Sequence, residues 1–216
     1  MVNKWICSDH HLGHENIIRF THPNGEPIRP GFQDSGQFHA FLNIQHHDET
    51  YIARHNDRVK TSDKVYFLGD IGKPLDKIKR LNGKKRLILG NHDDIHDVAA
   101  LGEVFDEVVA WRVWDEEEFG HPTVFTHFPL HADERRPARR RINVHGHIHE
   151  KKIHRANGME DPWYVNVCVE HTNHAPLNFD DLRRIIGTRI TTIKKLGELD
   201  ASETSVGTSR SNTRDR

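Results

Sequence analysis

Five short segments of the chain end in residues that can ligate metals. Each follows a run that reads as a buried strand. The segments are Ser8-Asp9-His10-His11, Gly69-Asp70, Gly90-Asn91-His92-Asp93, Thr126-His127 and Gly146-His147-Ile148-His149. Their side chains offer carboxylates, an amide and imidazoles, with no thiolate. Such a donor set suits manganese, iron, zinc or nickel rather than a structural cysteine-bound zinc. Asp9 and His11 are two residues apart, as are His147 and His149, and an extended backbone would point each pair to one side. Gly69 permits a sharp turn before Asp70, whose carboxylate has two oxygens with which to bridge two cations. Asn91 supplies a carbonyl oxygen, and His92 beside it reads as an acid or a ligand. Taken singly, each segment is an ordinary polar turn after a strand. Five in succession, each where a strand stops, amount to a metal site on the edge of a sheet. Asp9, His11, Asp70, Asn91, His127, His147 and His149 are more ligands than one ion needs, so two divalent ions are expected. Two-metal sites hold their ions about 3.5–4 Å apart and catalyse in-line displacement at phosphorus.

Around these segments the pattern predicts strands at 4–8, 64–68, 85–89, 104–114, 121–126, 141–145 and 163–169. Helices are expected over 37–56, 74–81, 95–101 and 180–186, the last capped by Asn178. Residues 21–36, rich in Pro and Gly, read as an irregular surface loop. Glu116, Glu117 and Glu118 read as an acidic turn. Strands alternating with helices early and consecutive strands later predict mixed sheets flanked by helices. Residues 1–200 read as a single domain and 201–216, almost wholly polar, as a disordered tail.

The 216 residues suffice for one core, and a formal net charge of -1 creates no field that would draw the chain to nucleic acid or membrane. No signal-peptide or membrane-spanning stretch is evident, and Cys7 and Cys168 read as buried free thiols. The expected compartment is the cytoplasm. Of 19 histidines, His10, His11, His14, His92, His127, His145, His147 and His149 lie within or next to the five segments.

In their order, D-x-H, G-D, G-N-H-D, H and G-H-x-H, the segments resemble the calcineurin-like metallophosphoesterase family. The opening run from Ser8 through Asp9-His10-His11-Leu12-Gly13-His14-Glu15-Asn16 to Ile17 is similar to its small bacterial and bacteriophage branch. The resemblance covers Asp9 to His149, most of the chain. It implies an α/β (α+β) fold, a β-sandwich of two mixed sheets with helices outside. It also implies that Asp9, His11, Asp70 and His149 hold one ion and that Asp70, Asn91, His127 and His147 hold the other, with Asp70 bridging. His92 would approach the leaving-group oxygen. Asp70, Asn91 and His92 thus become the expected catalytic residues, and Asn91, His92 and His14 the expected contacts to substrate. Family protein phosphatases carry G-D-x-x-D-R-G, whereas this chain reads Gly69-Asp70-Ile71-Gly72-Lys73-Pro74. That departure weakens a protein-phosphatase assignment.

The expectation is a binuclear phosphodiesterase that hydrolyses small phosphodiesters such as 2′,3′- or 3′,5′-cyclic nucleotides by direct attack of a metal-bridging hydroxide. Manganese is the expected metal, with iron, zinc or nickel as alternatives. Alternative functions are a phosphomonoesterase acting on nucleotides or proteins, a nuclease, or a non-catalytic scaffold. The partner expected is a small phosphoester, without membrane or nucleic acid, and oligomeric state is left open. Arg135, Arg136, Arg139, Arg140 and Arg141 form a basic run whose position argues for a solvated loop rather than a nucleic-acid surface.

Overall fold

The computed structural model describes residues 2–94, 96–132 and 141–199. Its elements run β1 (Lys4–Cys7), β2 (Gly31–Asp34), β3 (Gln37–Ala40), α1 (Ile44–Arg58), β4 (Lys64–Phe67), α2 (Leu75–Lys79), β5 (Lys84–Ile88) and α3 (Val98–Gly102). Then follow β6 (Glu107–Val109), β7 (Trp111–Trp114), α4 (Glu116–Phe119), β8 (Thr123–Thr126), β9 (Ile142–His145), β10 (Tyr164–Asn166), β11 (Leu177–Asn178) and α5 (Phe179–Lys195). Short 3₁₀ turns lie at Glu15–Ile18 and Val169–Thr172.

Two sheets organise the chain. One has the order β11-β1-β4-β5-β6, with β1, β4, β5 and β6 parallel and β11 antiparallel at the edge. The other has the order β10-β9-β8-β7, parallel except for β7. Parallel strands must be covered on both faces, and the period-2 alternation of side chains does this here. Cys7, Val65, Phe67 and Leu87 pack beneath Tyr51 and Ile52 of α1, Ile78 of α2 and Leu101 of α3. Ile6, Tyr66 and Ile88 face the other way, into a core shared with Phe125, Ile142, Val144 and Val165 of the second sheet and Phe179, Leu182 and Ile186 of α5. The result is mixed α/β, two mixed sheets flanked by helices. No helix among the described residues is long and apolar enough to cross a membrane. Both cysteines are free and buried.

Several elements differ from the sequence reading. Residues 37–40 do not begin a helix. They pair with Gly31–Asp34 in a hairpin turned by Ser35 and Gly36, whose φ values of 46° and 79° mark a type I′ turn. The helix starts later, where the Asn43 side chain accepts from His46 N–H. The strand expected over 104–114 divides: β6 belongs to the first sheet and β7 to the second, so the chain changes sheets at Ala110. Residues 116–119 form a short helix rather than a turn. Asn178 caps α5 as expected, but α5 runs on to Lys195. Gly187 and three threonines hide its later periodicity, while Thr188, Thr191 and Thr192 bond back to carbonyls one turn earlier. The tail over 201–216 lies outside the described residues, as does the basic run apart from Arg141.

Candidate metal centre

The carboxyl ends of β1, β4 and β5 lie along one edge of the first sheet, and those of β8 and β9 along the corresponding edge of the second. Open parallel sheets place functional loops at such edges. Backbone bonds tie the loops together: Asp9 N to Gly69 O at 3.1 Å, His11 N to Asp70 O at 2.9 Å and Gly146 N to His127 O at 2.9 Å. Bonds also cross between the sheets. His147 N donates to Asp9 Oδ2 at 2.9 Å, and His127 Nδ1 donates to Leu68 O at 2.7 Å.

The ligand atoms gather into two groups, Asp9 with His11 and His149, and Asp70 with His127 and His147; within each group they lie within 4.8 Å of one another. Asp70 stands between the groups. Its Oδ2 is 3.7 Å from His11 Nε2 and 3.4 Å from His127 Nε2, while its Oδ1 accepts His92 N–H at 2.7 Å. Asn91 Oδ1 lies 3.0 Å from His127 Nε2. A carbonyl can only accept, so the bond to Leu68 O assigns the His127 proton to Nδ1. The Nε2 lone pair of the neutral ring then faces two oxygens. Three electron-pair donors converging in this way call for a proton or a cation between them. Asp9 Oδ1 and His11 Nε2 are buried and have no hydrogen-bond partner. Orphaned polar atoms of this kind are costly unless something charged satisfies them. The residues therefore fit a pair of divalent cations.

The local backbone is not extended, contrary to the expectation from residue spacing. Asp9, His11, Asp70, His147 and His149 all have φ between 51° and 72°, the left-handed region that non-glycine residues seldom enter. His10 consequently turns away from its neighbours and packs edge-on against Tyr51 and Phe67. Close approach of the strands imposes two glycines. A Cβ on Gly90 would meet Asp70 Oδ1 and its backbone N, and one on Gly146 would meet Ser8 Oγ and Asp9 Oδ2.

A second set of residues holds the first. Asp9 Oδ2 accepts from Ser8 Oγ and from Cys168 Sγ, at 3.1 Å for the thiol, leaving Oδ1 to point into the site. Asp93 clasps two loops: its carboxylate accepts from Gly90 N at 2.8 Å and from Asp70 N and Ile71 N at 3.1 Å each. Glu170 Oε1 lies 2.9 Å from His149 Nδ1, an arrangement that leaves His149 Nε2 free as a ligand. Glu170 is in turn paired with Arg29, whose guanidinium also donates to Asp9 O at 2.7 Å and to His10 O at 2.9 Å. Arg29 comes from the segment expected to be a surface loop and is only 1% exposed.

Charge at the site is tuned by these contacts. Burial would raise the Asp70 carboxyl, but His127, the His92 N–H and His11 overcome this and hold it at about 2. Burial drives His11 down to about 2, which keeps it neutral, the form that binds metals. Burial also lowers His149, but its bond to Glu170 outweighs that and leaves it raised. Burial opposes ionisation of Glu170, yet Arg29 and His149 pull its pKa well below the usual carboxylate range.

His92 is exposed, with its ring 5.1 Å from that of His11 and 5.8 Å from that of His14. His14 also lies 5.6 Å from His11. The structure thus brings every sequence-assigned ligand to one place, with His92 and His14 at the side of the first group. Sequence reading assigned no role to Ser8, Asp93, Cys168, Arg29 or Glu170. Asp93 sits inside a recognised segment, three residues after Gly90, a spacing at which a carboxylate can accept from the backbone of its own turn.

The Glu170 bond makes a specific demand. Glu170→Gln should weaken binding at the Asp9–His11–His149 group by about 10–100-fold, the usual cost of losing such a partner, while the second group keeps its ion. Calorimetric titration of manganese into the folded variant, with metal content measured after dialysis, checks this. Two sites of unaltered affinity would remove Glu170 from any role in ligand positioning.

No protein-family model matches the chain. Over 183 residues it is 31% identical to the Gene 66 protein of Mycobacterium phage L5, spanning 71% of this chain and 80% of that protein. The chain belongs to that protein's family. The Gene 66 protein of Mycobacterium phage D29 is 26% identical over 86% of this chain and 96% of its own length. An uncharacterized protein of Methanocaldococcus jannaschii is 27% identical over 89% of this chain and 97% of its own. The family fold is shared with a solved protein of unknown function from Aquifex aeolicus, with TM-score 0.57 and 24% identity, covering 86% of this chain and all of that one.

Proposed function

We propose that the chain is a binuclear, metal-dependent phosphodiesterase of the calcineurin-like metallophosphoesterase type, acting on small diesters, cyclic nucleotides among them. The observation that carries this reading is the single Asp70 oxygen facing the Nε2 atoms of His11 and His127. Asp9, His11, Asp70 and His149 would hold one ion, and Asp70, Asn91, His127 and His147 the other. Manganese is the first candidate, with iron, zinc and nickel as alternatives. When bound, such ions supply Lewis-acid charge and activate water at neutral pH. The protein supplies the rest. The Asn91 side-chain NH2 can donate to a phosphoryl oxygen while its Oδ1 stays on the His127 side. His92, exposed and tethered through its backbone to Asp70, can carry a proton to the departing alkoxide. His14 lines the same end. Arg29 has its guanidinium committed to Asp9 O, His10 O and Glu170, so it does not clamp a dianionic monoester.

A panel of 2′,3′-cyclic, 3′,5′-cyclic and linear diesters beside nucleoside monophosphates, with and without added manganese, tests the reading. The expected result is metal-dependent turnover with higher kcat/KM for diesters. A monoester turned over faster than every diester would replace the assignment with a phosphatase, and no turnover at all would favour a scaffold.

A further inference from the structure

Phe128 follows the ligand His127 directly and is 47% exposed. Its ring centroid nevertheless lies 4.6 Å from His147 and 4.9 Å from His127, edge-to-face with both. One side of the ring is therefore seated against the second ligand group while nearly half of the residue meets solvent. A large apolar ring gains stability by being covered, and nothing among the described residues covers the exposed part of this one. A planar group laid on an aromatic side chain gains about 1–3 kcal/mol, irrespective of which base it is.

Geometry also separates the two ends of the site. His92 touches the rings of His11 and His14, on the side of the first group, whereas Phe128 touches the rings of the second. In an in-line displacement the leaving oxygen departs on the face opposite attack. If His92 protonates that oxygen, the arm on the Phe128 side is the one that stays on phosphorus.

We propose that Phe128 is a stacking platform for a planar ring on the ester arm that keeps its phosphate, so the preferred substrates are nucleoside phosphodiesters rather than alkyl ones. This rests on the phosphodiesterase reading and narrows it. The P–O bond that breaks is to the other arm, which leaves as an alcohol, and the product is the monophosphate of the stacked nucleoside.

Three diesters sharing a p-nitrophenolate leaving group test it, because that group departs without help from His92. Their retained arms are ethyl, phenyl and thymidine 5′-yl. With manganese present, KM should be about tenfold lower for the thymidine and phenyl arms than for ethyl, in keeping with one stacking contact. Phe128→Ala should raise both to the ethyl value, and Phe128→Trp should restore the gap. Calorimetry with thymidine 5′-phosphate, a readout independent of turnover, should show binding about tenfold weaker to Phe128→Ala. A gap for phenyl without thymidine would assign the platform to simpler aryl esters and overturn the nucleoside preference. Equal KM across the three arms, or an equal shift of all three in Phe128→Ala, would remove Phe128 from recognition while leaving the phosphodiesterase reading intact. Hydrolysis of none of them would fail that reading itself, and unaltered nucleotide binding by Phe128→Ala would then overturn the platform as well.

Discussion

Asp70→Asn should abolish metal-dependent hydrolysis and leave fewer than two ions per chain. One oxygen of Asp70 faces imidazole nitrogens of both ligand groups, and its other oxygen already holds the His92 backbone. An amide presents only one oxygen and no charge, so it cannot serve both the backbone bond and two cations. Burial adds to the effect, because Asp70 is 2% exposed and the mutant carbonyl would have no solvent to share the load. Loss of Lewis-acid stabilisation worth several kcal/mol corresponds to at least ~100-fold in kcat/KM. Metal analysis beside diesterase kinetics reads both quantities. Two ions per chain together with normal turnover would sink the binuclear proposal.

The second large effect falls on His92, and its signature is selectivity rather than size. His92→Ala should keep both ions, since the His92 ring belongs to neither ligand group. Turnover of esters with alkoxide leaving groups should fall by about 10²–10⁴-fold, the usual contribution of a positioned acid. Aryl esters should lose far less, because a phenolate needs no proton to depart. A plot of log kcat against leaving-group pKa should therefore be steeper for the variant than for the parent. Parallel plots would remove the acid role, and loss of an ion would recast His92 as a ligand.

The candidate ligands were legible because each lies directly after a short apolar strand, so local pattern sufficed. Their supporting residues were not. Arg29 and Glu170 are 141 positions apart and meet only because the 12–62 excursion folds back beneath the Val169–Thr172 turn. Neither carries a local mark of that pairing. The extended geometry inferred for Asp9-x-His11 also failed, for a physical reason. Two consecutive strand edges approach too closely for a flat loop, and left-handed turns at Asp9 and His11 direct both side chains inward while sending His10 to the core. The hairpin at 31–40 was missed because Phe38 and Phe41 happen to match a helical period, although Asp34-Ser35-Gly36-Gln37 carried the turn signal. The two-sheet architecture was readable from strand order, whereas the change of sheet at Ala110 leaves no mark in an apolar run.

Each ligand group draws on both sheets: Asp9 and His11 with His149 in one, Asp70 and Asn91 with His127 and His147 in the other. During synthesis the first ribosome-borne half of the protein carries Asp9, His11, Asp70 and Asn91 but no complete cage. The last imidazoles emerge only with 146–149, and Glu170 later still. An ion held as proposed would therefore reach full coordination only after the second sheet has docked on the first. If the site takes divalent ions as proposed, full loading would follow docking, and the docked sheets would rest until then on their apolar core.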